Sequence, residues 1–180
     1  EPGQVWVVDL MKMPKSERGF EYVLVCVDAF SRYAEVKALK DRKADTVADA
    51  MAELIFAGTG GIAELIVSDQ GSEFKGVFTA MCKQLAVRHE YTASHKAAAH
   101  GMVERLNRTL KDRMLKLQKT KPTRWDRRLG WAKLAYNSDP HASLSAAGET
   151  LTPAEVHLGR RLNTVQQAMT QDGSHRAVAA

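Results

Sequence analysis

Three carboxylates stand where an acid is chemically conspicuous. Asp9 sits inside the apolar run Val5-Trp6-Val7-Val8-Asp9-Leu10. A lone ionised carboxylate in such a strand is costly unless it is paired, lies at the sheet's margin, or holds a metal. Asp69 follows the short apolar stretch Leu65-Ile66-Val67 and precedes Gln70-Gly71; strand ends in α/β sheets are where sites gather. Glu104 opens a basic, amphipathic stretch. Taken singly, each has a plain structural reading: Asp69 as a turn starter, Glu104 as a favourable charge near a helix N-terminus. Together, three acids near the edges of one sheet suit two Mg²⁺ ions about 3.5–4 Å apart, the arrangement that serves in-line phosphoryl transfer.

The elements that would carry these acids are legible from pattern. Val5 to Leu10 reads as a strand buried on both faces, Tyr22 to Asp28 as a second, and the alternating Tyr33 to Leu39 as a third, half exposed. These form an antiparallel meander. Val47, Met51, Leu54 and Ile55 fall on one face of a helix from Ala44 to Ala57, ended by Gly58, Gly60 and Gly61. A strand over Glu64 to Ser68, a helix over Glu73 to Leu85 and a strand over Val87 to Tyr91 follow. Ala93 to Gly101 has no period and reads as a mobile loop hinged at Gly101. A long helix then runs from Gly101 to Lys119, with Val103, Leu106, Leu110, Met114 and Leu117 as its apolar stripe. Another helix spans Thr123 to Asn137. Thr152-Pro153 reads as N-cap and first position of a short helix to Leu158. The order predicts an α/β fold with a mixed five-stranded sheet flanked by helices. Residues 1–162 form one domain, and 163–180 a polar, Ala-rich tail or linker, poorly ordered.

Composition narrows the partners. The chain has 180 residues, 26 Lys and Arg against 21 Asp and Glu, net +5. Residues 1–90 carry 11 basic and 14 acidic groups, residues 91–180 carry 15 and 7, and 104–133 alone hold 11 and 3. A basic stretch of that density suggests a polyanionic partner. Arg124, Arg127 and Arg128 suit DNA or a second subunit equally. The longest strictly apolar run, Tyr22 to Val27, is far short of the ~20 residues of a membrane span, so no membrane partner is expected. Cys26 and Cys82 are isolated and read as buried thiols. A start at Glu1 reads as a piece excised from a longer polypeptide.

Several pieces, in order, carry a resemblance: Val5-Trp6-Val7-Val8-Asp9-Leu10, Val27-Asp28-Ala29-Phe30-Ser31-Arg32-Tyr33, Ser68-Asp69-Gln70-Gly71-Ser72-Glu73-Phe74, Gly101-Met102-Val103-Glu104-Arg105-Leu106-Asn107-Arg108-Thr109-Leu110-Lys111, and Leu151-Thr152-Pro153-Ala154-Glu155-Val156-His157-Leu158-Gly159-Arg160. Over about residues 3–162 the chain resembles the catalytic core of retroviral and LTR-retrotransposon integrases, most closely the gypsy type. That resemblance implies an RNase H-like fold and a D,D,E triad of metal ligands, here Asp9, Asp69 and Glu104, with two Mg²⁺ (or Mn²⁺) ions. It implies 3′-end processing and strand transfer of retroelement DNA into target DNA, double-stranded DNA as partner, and action in the host-cell nucleus. It further places Lys96, His100, Asn107, Arg108 and Lys111 at the DNA, His100 standing where relatives often carry a Gln. Asp69 and Glu104 have 34 residues between them, where the family usually has 35. Such cores pair through helices away from the active site, so a homodimer or higher oligomer is expected, with Trp125, Trp131, Leu134 and Tyr136 supplying apolar surface. The alternatives are a DDE transposase, disfavoured by the short Asp69–Glu104 spacing and the Thr152 piece, and a domesticated, non-catalytic DNA-binding or scaffold module, which has no chemical need for three acids. Asp28 reads as structural. Glu73 reads as a charge at a helix N-terminus.

Overall fold

The computed structural model describes residues 1–58, 61–91, 97–116, 122–146 and 149–162. The expected tail, 163–180, and the first part of the expected loop, residues 93–96, lie outside the described residues.

Five strands form one mixed sheet. β1 (Val5–Lys12), β2 (Tyr22–Asp28) and β3 (Ala34–Leu39) make the antiparallel meander; β4 (Leu65–Ser68) and β5 (Arg88–Tyr91) join parallel to β1, giving the order β3-β2-β1-β4-β5. The predicted fold class is therefore the observed one. β1 is central, and Trp6 to Val8 are buried because both faces of the strand are covered there. Trp6 and Val8 point into one core with Leu24, Ile66, Phe74 and Phe78, while Val7 points into the other with Val25, Val67, Leu106, Leu110 and Trp125. That alternation is the period of two that a strand imposes.

The first core is covered by α1 (Ala44–Met51), which continues as wider π turns over Ala52–Ala57, and by α2 (Val77–Gln84). The second is covered by α3 (Ala97–Lys116), a 3₁₀ segment (Pro122–Arg127) and α4 (Leu129–Ser138). A two-stranded ribbon, β6 (Ser145–Ala146) with β7 (Glu149–Thr150), precedes α5 (Pro153–Leu158). α5 starts as expected: Thr152 and Glu155 form a reciprocal capping box, and Gly159 closes the helix at φ 67°.

Three expectations need correction. The helix expected over Glu73 to Leu85 is split into a 3₁₀ turn (Ser72–Phe74) and α2, because Gly76 between them takes φ 56°, a conformation a helix cannot continue through. The expected loop ending at Gly101 is helical from Ala97, since three consecutive alanines are strong helix formers and need no apolar period to join α3. Gly101 is consequently an interior helix residue, and a Cβ there would meet only the Arg105 guanidinium at 3.5 Å, an ordinary contact. Finally, of the aromatic groups assigned to a subunit interface, Trp125 and Tyr136 belong to the second core; Trp131 is exposed. Cys26 and Cys82 are buried free thiols, as expected.

Candidate functional site

Asp9 and Asp69 are brought together by strand register. β1 and β4 pair in parallel with Val5 opposite Leu65, Trp6 opposite Ile66 and Val7 opposite Val67. The ladder ends at Val7 and Val67, and Asp9 and Asp69 each stand two residues beyond that last pair, Asp69 just past β4. Neighbouring strands lie about 4.8 Å apart. Val7 and Val67 share the second core, under α3, and Asp9, two residues on within β1, shares that face. Both are half-buried.

α3 completes the surroundings. Leu106 and Leu110 anchor it in the second core, and Asn107 consequently faces β1. Its Nδ2 donates to Asp9 Oδ2 at 2.5 Å, while its Oδ1 is buried and accepts no hydrogen bond. Glu104 lies one turn N-terminal to Asn107 and is exposed, as are Arg108 and Lys111 further along α3. Lys96 lies outside the described residues; His100 falls within α3, and its side chain is outside them.

Asp69 is held by its own turn. Its Oδ1 accepts the Gly71 N–H at 2.9 Å, an Asx turn, and its carbonyl accepts the Ser68 hydroxyl at 2.9 Å. Glu73, read from sequence as a helix-terminal charge, folds back over Gly71. A Cβ on Gly71 would lie 2.8 Å from Glu73 Cδ and 2.9 Å from Asp69 Oδ1, so the glycine is required for both carboxylates to close over the turn. Behind this turn stands a cluster that sequence reasoning missed: His89 on β5 reaches Ser68, with Thr79 and Tyr91 beside it. A histidine on a half-exposed strand gives no sequence signal. Burial pushes its pKa down.

Asp9 and Asp69 offer carboxylate oxygens, and Asn107, bonded to Asp9 through Nδ2, carries an orphaned Oδ1 at the other end of its amide. That is the hard set a small divalent cation takes. The chemistry of the set therefore fits Mg²⁺, but Glu104 is not gathered with the two aspartates: among the described residues no group of three His, Cys, Asp or Glu stands close enough to hold a metal ion.

A second constellation resembles a catalytic triad and is not one. Asp28, fully buried, accepts from the Gly3 N–H at 2.9 Å, the Ser31 N–H at 2.7 Å and the Ser31 hydroxyl at 2.5 Å. His157 Nδ1 lies 2.9 Å from Ser31 Oγ and 3.6 Å from Asp28 Oδ2. Because the serine proton is given to Asp28, the histidine donates to the serine and cannot act as its base. His157 also stacks on Tyr33 at 4.5 Å and meets Trp6 edge-on. The group ties α5 to the turn after β2, which bears out the structural reading of Asp28. The arginines after α3 are partly engaged: Arg124 Nε is 2.8 Å from both Glu17 oxygens, and Arg127 is 3.9 Å from the same carboxylate.

Comparison with known proteins places this architecture. Residues 1–97 match the family model described as Integrase core domain. The chain is 32% identical over 149 residues to an uncharacterized protein of Caenorhabditis elegans, and 31% identical over 160 residues to the Pol polyprotein of Feline endogenous virus ECE1. These alignments cover 82% and 88% of the chain but only 11% and 15% of those proteins. Among solved structures, the catalytic core domain of BIV integrase is similar with a TM-score of 0.68 at 24% identity, covering 87% of this chain and 95% of that one. A chain of the simian T-cell lymphotropic virus intasome, in complex with PP2A regulatory subunit B56 gamma, gives 0.71 at 23% identity, covering 91% and 57%. The HTLV-2 integrase catalytic core, in complex with magnesium, gives 0.68 at 21% identity, covering 87% and 97%. The fold is the RNase H-like fold of integrase catalytic cores. The chain belongs to the integrase core domain family, of the retroviral and retrotransposon Pol type.

Proposed function

We propose that this chain is the catalytic core of a retroelement integrase, performing metal-dependent 3′-end processing and strand transfer. The observation that carries the reading is the parallel pairing of β1 with β4, with Asp9 and Asp69 each two residues beyond its last pair, in a chain of this family. Asp9 and Asp69, joined by Glu104 when DNA is bound, hold two Mg²⁺ or Mn²⁺ ions. Bound there, the ions supply charge neutralisation at the reacting phosphate and acidify the attacking hydroxyl.

The chain's own residues do the positioning. Asn107 fixes the Asp9 carboxylate through its 2.5 Å hydrogen bond, and the Gly71 N–H fixes that of Asp69. Arg108 and Lys111, exposed on α3, bind backbone phosphates of the element's end together with Lys96 and His100. Water cleaves the 3′ end in the first reaction. In the second, the freed 3′-OH attacks a phosphodiester of target DNA, and the target's own 3′ oxygen leaves as the new bond forms. A homodimer or higher oligomer presents two such ends, and the work is done on nuclear DNA.

The test is an assay of the full-length protein on labelled duplex oligonucleotides carrying the element's ends, with Mg²⁺ or Mn²⁺. Asp69→Asn, which conserves shape and deletes a ligand charge, abolishes both reactions and leaves the melting temperature unchanged. Full activity in that variant refutes the assignment. A wild-type protein that binds such DNA and never cuts it is a non-catalytic module.

A further inference from the structure

His89 and Ser68 form a directed hydrogen-bond chain into the Asp69 turn. Ser68 is the last residue of β4 and fully buried. Its hydroxyl donates to the Asp69 carbonyl at 2.9 Å, so its oxygen is left to accept from His89 Nε2 at 2.8 Å. That fixes the proton of a neutral His89 on Nε2 and makes Nδ1 an acceptor. Thr79 Oγ1 stands 3.3 Å from Nδ1 and 3.2 Å from the Phe74 carbonyl. The Thr79 hydroxyl donates to Phe74 O, as does Tyr91 at 3.2 Å. The chain thus runs from His89 on β5, through Ser68 on β4, to the peptide that leads out of Asp69. The imidazole is held in place by Phe78 and Tyr91, with ring centroids 5.0 and 4.7 Å away.

We propose that His89 is a positioning residue for Asp69, acting through Ser68 on the Asp69 carbonyl and so on the direction in which the carboxylate leaves the turn. The idea rests on the reading of Asp69 as a metal-binding acid. Outer partners of metal-binding groups are worth roughly 10–100-fold in affinity or activity. A merely structural histidine is worth only stability.

The discriminating variants are His89→Phe, which keeps the ring contacts and loses both nitrogens, Ser68→Ala, and the double variant. Strand transfer is followed against Mg²⁺ concentration in the full-length protein, alongside melting temperature. The Gly71 amide shift is followed by ¹H–¹⁵N NMR of this chain, because that N–H donates to Asp69 Oδ1. Each single variant is expected to raise the Mg²⁺ midpoint by roughly 10-fold or more and to move the Gly71 amide. The double variant does no worse than either single, because one chain is cut in both. His89→Gln, which retains an N–H donor, recovers part of the loss. A His89→Phe protein with the wild-type Mg²⁺ midpoint and an unmoved Gly71 amide overturns the proposal, as do single effects that simply add. Should Asp69→Asn remain active, the metal-binding reading falls, and the Gly71 shift alone decides the positioning.

Discussion

Asn107 Nδ2 stands 2.5 Å from Asp9 Oδ2, so a helix residue and a strand residue 98 positions apart share one proton donor at the centre of the candidate site. The other end of the same amide, Oδ1, is buried without a donor. Such an arrangement is costly for stability alone, because an unsatisfied buried oxygen forfeits about 1–3 kcal/mol. It is reasonable at a site that orients an acid.

Asn107→Asp replaces a donor with a second carboxylate against Asp9. Like charges at that separation disfavour ionisation of the pair. The variant is expected to lose strand transfer almost completely and to be less stable at pH 8 than at pH 5. Urea midpoints at the two pH values check this; equal midpoints contradict it. Asn107→Ala, which removes the orphaned oxygen along with the donor, is expected to cost about 1 kcal/mol or less.

Gly71→Ala drives a methyl group to within 3.0 Å of the Asp69 and Glu73 carboxylates. The half-buried Glu73 end can swing away, while Asp69 is tied to the turn. Divalent-ion-dependent activity is therefore expected to fall at least tenfold, a change of about 1.4 kcal/mol in barrier, with a smaller effect on melting temperature. Adding Glu73→Ala relieves only part of the clash, so the double variant stays impaired. Full recovery in it shows that Glu73 alone was displaced.

Acid is expected to act on stability through Asp28. Burial pushes its carboxyl up most strongly, but the neighbouring His157 and the hydrogen bonds from Ser31 and the Gly3 N–H together outweigh burial and hold it below its ordinary value of 3.8. A depressed carboxylate contributes stability in full above the unfolded value and loses it as pH falls through the folded one. The wild-type protein is expected to lose stability below about pH 4, with Asp28→Asn less stable at neutral pH and flatter over that window. Parallel acid titrations of the two proteins, followed by circular dichroism, measure the difference.

Asn137 caps the edge of the sheet. From the last turn of α4 its Oδ1 accepts the Ala34 N–H and its Nδ2 donates to the Ala34 carbonyl, both at 2.9 Å and both buried. The amide thus does for β3 what a sixth strand would do. Asn137→Ala strands two buried backbone groups and is expected to cost about 2–4 kcal/mol, read as a lowered urea midpoint.

Trp131 is 53% exposed on α4, between Arg127 and Ala135, both also exposed. If α4 forms the subunit contact, Trp131→Glu yields a monomer in sedimentation at tens of micromolar while the melting temperature of the dilute protein is unchanged. An unaltered dimer moves the contact elsewhere.

The sequence by itself determined what local chemistry controls. Apolar runs and alternation placed β1 to β4, the Leu106–Leu110 stripe placed α3 against a core, and Thr152-Pro153 started α5. Local reading failed where two residue preferences compete: three alanines carry no apolar period yet extend α3 back to Ala97, and one glycine conformation at position 76 divides a helix. The tertiary structure alone decided the rest. The pairing of β4 with β1, which sets the strands carrying Asp9 and leading to Asp69 side by side, joins segments 60 residues apart. It depends on which faces the helices bury and not on any pattern in either strand. The same holds for Asn137 on Ala34, His157 on Ser31 and His89 on Ser68. Each is a polar group buried by packing, and the partner it finds is set by the elements that packing brings alongside it.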